Sequence, residues 1–310
     1  MLDRRNFMLA ASGAIVAATT GCTKEKPVEV QDFGGVSFDK AIAAIEMDSG
    51  GRLGVAIRDL QTGRAYAHRG DERFPMCSTF KFLLAAATLS RVDKRQEQLD
   101  RQIVYGRDVL LDVSPVTEKH VDKGMTVAAL CEATIIYSDN AAANLLLPGI
   151  GGSAGFTSYA RSLGDESSRL DRNEPALGEA VPGDPRDTTT PRAMLGNLDR
   201  VLLGDALSSA SRALLTGWLV ANMTGDTRLR AGLPGDWKVG DKTGSGAYGS
   251  TNDIAILWPP RRKPILITTY LTETEAPAER RSATIAAVGR AVVDATPEAR
   301  RTARRATWVG

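Results

Sequence analysis

Ser78 and Lys81 are spaced to make a nucleophile. Residues three apart on a helix share a face, so the Lys81 amine can reach the Ser78 hydroxyl from one turn along. A serine hydroxyl attacks poorly until an adjacent base or a pKa-lowering environment activates it. Ser78 also stands at an expected helix N-terminus, where free backbone N–H groups and the helix dipole favour developing negative charge. In isolation the pair reads as an N-cap serine with a solvated lysine. The motifs that follow reverse that reading: Ser138-Asp139-Asn140, then Glu174 within Arg172-Asn173-Glu174-Pro175-Ala176-Leu177, then Lys242-Thr243-Gly244. Alone, Ser-Asp-Asn is a common turn or cap, and Lys-Thr-Gly a common strand end. An ester formed on a serine is stable unless a base activates water against it, which a carboxylate held beside it can do.

These residues need elements to hold them. Residues 52–59 alternate loosely between apolar and polar and read as a strand, 59–63 as a turn and 64–68 as the returning strand. Residues 78–92, rich in Ala, Leu and Phe at helical spacing, predict a helix that starts at the nucleophile. Residues 126–137 predict a second helix with Thr126 as N-cap, and 140–147 a third. Residues 165–190, rich in Asp, Arg, Gly and Pro, predict a long ordered loop that carries Glu174; loops of that length in a compact domain are usually functional or disordered. Residues 237–244, 253–258 and 264–271 read as strands, and 278–294 as a C-terminal helix. Strands at both ends with helices between them predict an α+β fold. An antiparallel sheet domain with flanking helices is built from both termini, an all-α domain is inserted in it, and the active site lies between them. The expected boundaries are an export signal at 1–22, a linker at 23–36, the sheet domain at 37–75 and 222–295, and the helical domain at 76–221. A basic, solvated tail at 296–310 carries Arg300, Arg301, Arg304 and Arg305.

The 310 residues include 39 Lys and Arg against 37 Asp and Glu, a net charge of +2 that gives no electrostatic case for nucleic acid. Past the N-terminus no apolar run is long enough to cross a bilayer. The two histidines, His68 and His120, lie far apart and the three cysteines show no paired spacing, so no metal site is expected. Arg4-Arg5-Asn6-Phe7, ahead of a mildly apolar segment at 9–20, resembles a twin-arginine export signal; an ordinary secretory signal with two arginines is the alternative. Thr20-Gly21-Cys22 resembles the end of a lipoprotein signal, with Thr19 where Leu is usual, so a lipid anchor at Cys22 stays open. Either way the mature protein is expected to be exported, to the periplasm or beyond the cell.

In order and spacing, the Ser-x-x-Lys, Ser-Asp-Asn, loop-Glu and Lys-Thr-Gly elements resemble the class A serine β-lactamases, from about residue 38 to residue 293. The resemblance implies hydrolysis of the β-lactam amide of penicillins and cephalosporins through a covalent ester on Ser78. It implies no metal or cofactor, a small-molecule substrate as the partner, and a monomer. Ser138 would relay a proton to the departing nitrogen and Asn140 would bind the substrate's side-chain amide. Lys242 would hold Ser138 electrostatically and, with Thr243, bind the substrate carboxylate. The backbone N–H groups of Ser78 and Ser245 would form an oxyanion hole, worth about 3 kcal/mol per donor. Glu174 would activate the deacylating water; whether it or Lys81 drives acylation is disputed in the family. Arg172 and Asp187 match the pair that closes the loop through a salt bridge. Cys131 matches a family disulfide position whose partner position is here Ala85, so no disulfide is expected, and Cys77 reads as a packed free thiol.

Three positions depart from the family's commonest pattern. Gly178 replaces an Asn that helps position the hydrolytic water. Val113 stands where many relatives carry an aromatic at the rim. Thr251 stands where many carry an arginine for the substrate carboxylate; a second family solution brings that arginine from another segment, and Arg228 matches it. Two other functions share part of the pattern, a penicillin-binding DD-peptidase and a non-catalytic β-lactam sensor. Glu174 and its loop argue against the first, and the lack of a visible span after the signal argues against the second.

Overall fold

A computed structural model describes residues 33–296; the expected export signal at 1–22, Cys22 and the expected basic tail beyond Thr296 lie outside the described residues. Helix α1 (Gly35–Ser49) leads into strands β1 (Arg52–Asp59) and β2 (Ala65–His68). The chain then builds helices α2 (Phe80–Asp93), α3 (Val127–Ile136), α4 (Asn140–Leu146), α5 (Gly152–Ser162), α6 (Pro191–Leu202) and α7 (Ser209–Val220). It returns to the sheet with β3 (Lys238–Ser245), β4 (Thr251–Trp258) and β5 (Ile265–Thr272), and closes with α8 (Ala278–Asp294). The five strands form one antiparallel sheet in the order β2-β1-β5-β4-β3. β1 pairs with β5 along its whole length, from Arg52 opposite Thr272 to Asp59 opposite Ile265, so strands before and after the helices build one sheet.

Side chains alternate between the two faces of a strand, and here both faces are covered. Leu53, Val55 and Ile57 of β1 join an outer core with α1 and α8, and Ala255 and Leu257 of β4 do the same. Ile254 and Ile256 of β4 point the other way, into the large core shared with the inserted helices. Double burial explains why β4 reads as an unbroken apolar run from Ile254 to Trp258.

Helix α2 is the axis of the helical body. Every residue from Phe80 to Ser90 is buried, and α3, α4, α5 and α7 pack around it. A helix that is apolar all round must be enclosed all round. This makes α2 a rigid mount for Lys81. No helix among the described residues is long and apolar enough to cross a membrane.

Candidate active site

Ser78 sits in a 3-10 turn, Cys77–Thr79, that runs directly into α2, so the α-helix proper begins two residues after it. Cys77 has φ 45°, a left-handed conformation that costs a non-glycine residue about 1–3 kcal/mol and bends the chain sharply before Ser78. Strand β3 lies hard against this turn. A Cβ on Gly244 would come within 2.9 Å of Met76 O, and one on Gly246 within 2.7 Å of Cys77 Sγ. The glycine of Lys-Thr-Gly is therefore a requirement of close approach. β3 is an edge strand. Gly246 N–H donates to Ser250 O at 3.0 Å; antiparallel pairing alternates, so the N–H of Ser245 points outward, away from β4. Thr79 N–H is used by Met76 O at 3.1 Å, whereas the N–H of Ser78 meets no acceptor among the described residues.

Lys81 is fully buried. Its ammonium donates to Ser138 O at 2.7 Å and Asn140 Oδ1 at 2.6 Å, with a longer 3.4 Å contact to Ser138 Oγ, and it pairs with Glu174 Oε1 at 3.1 Å. Burial pulls the Lys81 pKa below the usual lysine range, and Glu174 pulls it part of the way back. The spacing predicts a Lys81–Ser78 contact. In the structure the Ser78 hydroxyl instead donates to Glu174 Oε1, at 3.3 Å. Lys242 is also fully buried and donates to Ser138 Oγ at 3.0 Å and Thr243 O at 2.9 Å. Its pKa lies well below the ordinary range, first through burial and then through the charge of Lys81. Two buried lysines thus converge on one serine hydroxyl.

Glu174 is held from two sides. Asp187, 1% exposed, accepts the N–H groups of Asp171 at 2.7 Å and Arg172 at 2.9 Å, and pairs with Arg172 Nε at 2.6 Å. Breaking a buried pair of this kind leaves an uncompensated charge, at about 3–5 kcal/mol. Asn144 on α4 clamps the Glu174 backbone in both directions: its Nδ2 donates to Glu174 O at 2.9 Å, and its Oδ1 accepts from Glu174 N at 3.1 Å. The motifs do not single out Asn144. Its signal is the spacing, four residues after Asn140 and so on the same helical face. Asp139 caps α4 and also accepts from the N–H groups of Val116 and Thr117, both at 3.0 Å. It ties the Ser-Asp-Asn turn to the segment carrying Val113, which is exposed and whose carbonyl accepts Asn140 N–H at 2.9 Å.

Arg228 reaches over the end of β3. Its Nη1 donates to Gly244 O at 2.7 Å and Asn252 O at 2.6 Å, and its Nη2 to Ser245 Oγ at 2.6 Å. Arg228, Ser245 and Thr243 are thereby brought to one stretch of the edge strand. Cys77 and Cys131 are buried free thiols. Burial pushes Cys77 up to about 12, so it offers no thiolate beside Ser78.

Residues 37–296 match the model of the family described as "Beta-lactamase enzyme family". The chain is 48% identical over 297 residues to β-lactamase AST-1 of Nocardia asteroides, covering 94% of this chain and 96% of that protein. It is 48% identical over 256 residues to β-lactamase Toho-1 of Escherichia coli, covering 83% and 88%. Its fold matches an ancestral class A β-lactamase at a TM-score of 0.82 and 65% identity, over 83% of this chain and 99% of that one. The chain belongs to the class A β-lactamase family. Against that family's commonest pattern, Gly178 is the departure closest to Glu174. It lies in the 3-10 turn Ala176–Glu179, and a Cβ built on it meets nothing within 4 Å. Gly178→Asn is therefore expected to fold, and to speed deacylation of at least one slow β-lactam by roughly two- to tenfold, the worth of one added hydrogen bond. Single-turnover deacylation rates check this; unchanged rates across several β-lactams would show that the position does not limit the water.

Proposed function

We propose that this β-lactamase opens the β-lactam ring of penicillins and cephalosporins through an ester on Ser78 that Glu174 resolves. The contact that carries this conclusion is Glu174 Oε1, which meets both the Ser78 hydroxyl at 3.3 Å and the Lys81 ammonium at 3.1 Å in a largely buried setting. In the first half, Ser78 Oγ attacks the lactam carbonyl carbon and passes its proton to Glu174. The oxyanion that forms meets the N–H groups of Ser78 and Ser245. As the C–N bond breaks, the ring nitrogen takes the Ser138 proton. Ser138 Oγ already accepts from Lys242, so its own hydrogen is free to be donated. Lys81 then reprotonates Ser138 and recovers a proton from Glu174, which leaves Glu174 ionised. In the second half, Glu174 takes a proton from water and the water oxygen attacks the ester carbon. The bond to Ser78 breaks and the proton returns to the serine.

Substrate would be gripped at both ends. Asn140 Nδ2 donates one N–H to Asp112 O at 2.9 Å and keeps the other for the substrate's side-chain amide. Lys242, Thr243, Ser245 and Arg228 take the ring carboxylate. Arg228→Ala is expected to raise KM by roughly tenfold, the scale of one charge-assisted hydrogen bond, with part of the grip retained by Lys242 and Thr243. The check is steady-state kinetics, alongside thermal unfolding because Arg228 also bonds two carbonyls. An unchanged kcat/KM for penicillins and cephalosporins alike would make Arg228 a structural residue only.

A DD-peptidase or a β-lactam sensor would form the same ester and stop there. Rapid repeated turnover of a chromogenic cephalosporin is expected; a single stoichiometric burst would place the chain among those acylated proteins instead. The paired arginines at 4 and 5 and the apolar segment at 9–20 support export by a twin-arginine signal, with Cys22 as the candidate lipid site and a monomer as the exported form.

A further inference from the structure

Ser245 and Thr251 are directly opposed across β3 and β4, so their side chains share one face of the sheet. Each is held by an arginine from a different element. Arg228 Nη2 donates to Ser245 Oγ at 2.6 Å, and Arg281 Nε, from the first turns of α8, donates to Thr251 Oγ1 at 3.1 Å. Arg281 Nη1 also donates to Ala276 O at 2.7 Å. Neither guanidinium forms a direct ion pair among the described residues; both donate to hydroxyls and carbonyls. The acid nearest in sequence on this face, Asp253, is fully buried, and burial first pushes its carboxyl well above the usual range, towards the neutral form. Two like charges placed together without an acid to join them repel one another, and an anion brought between or beside them relieves the repulsion.

The chemistry of the substrate says which anion. On a cephalosporin the ring carboxylate is attached next to the carbon that bears the C3 substituent, while the acyl side chain lies at the opposite end. A carboxylate held at Arg228 and Ser245 therefore turns the C3 substituent towards this face and the acyl group towards Asn140. We propose that Arg281 is a specificity-determining positioning residue, which with Arg228 makes a two-arginine edge that favours cephalosporins with a negatively charged C3 substituent over those with a positively charged one. This rests on the β-lactam hydrolase reading above.

The test is steady-state kinetics of the exported chain, Arg281→Gln and Arg281→Lys on cephalosporins that share one acyl side chain and carry a carboxylate, a neutral group or a quaternary ammonium at C3. Arg281→Gln should lower the anionic-to-cationic ratio of kcat/KM by roughly tenfold, through KM and with opposite signs for the two charges. Arg281→Lys should keep most of the ratio, and added salt should shrink the wild-type preference. An equal loss for all three substituents, with a lowered Tm, would mean that Arg281 only secures the start of α8 and would overturn the proposal. No change in the ratio would overturn it as well. If the wild type turned over none of the set, the hydrolase reading would fail, and this one with it.

Discussion

Glu174→Ala should take up one equivalent of penicillin and then nearly stop, with turnover reduced by roughly 10²–10⁴-fold, the scale of a lost general base. Acylation should survive because Lys81 can replace Glu174 there. Burial lowers the Lys81 pKa and Glu174 raises it, so removing the carboxylate leaves the amine more readily neutral and able to take the Ser78 proton. No such substitute exists for deacylation, where the base must activate water against the ester. A rapid-quench burst followed by a flat baseline is the expected trace. Wild-type turnover in this variant would remove Glu174 from the mechanism.

Ser78→Ala should abolish the burst as well as turnover, a loss of roughly 10⁴-fold or more. No neighbouring group can take the role. Thr79 Oγ1 is buried and committed to Met76 O at 2.7 Å, and Cys77 is held as a thiol. The Ser78 hydroxyl is bonded to Glu174 alone among the described residues, so the variant should fold normally, and thermal unfolding would show it. A persistent stoichiometric adduct in this variant would require a different nucleophile.

Much of the scaffold is legible in the residue pattern. β1 occupies the residues its alternation predicts, and Thr126 caps α3 by accepting Ala129 N–H at 3.2 Å. Helices α1, α5, α6 and α7 escape that reading, for local reasons. α1 and α5 both open on glycine pairs, and Gly155 inside α5, where a Cβ would strike Ile150 O, weakens the helical signal further. α6 carries Met194, Leu195, Leu198, Val201 and Leu202 at helical spacing behind Thr190 as N-cap and Pro191 at its first position, but its start abuts the preceding loop and is easily taken for the loop's end. In the site, the motifs name the residue types but not their bonds. That Ser78 donates to Glu174 and not to Lys81, that Asn144 clamps Glu174, and that Arg281 reaches Thr251 are all contacts between distant segments. Each depends on how the loop, α4 and α8 pack, which no local spacing encodes.

The central claim is that the reaction passes through an ester on Ser78 that Glu174 clears. Its most direct test is intact-mass and peptide-mapping mass spectrometry of Glu174→Ala after brief exposure to a penicillin. The expected result is one adduct per chain, with the mass of the whole penicillin, on the peptide containing Ser78 and persisting long after the wild type has returned to its free mass. An adduct on any other peptide, or continued hydrolysis with no adduct at any time, would contradict it.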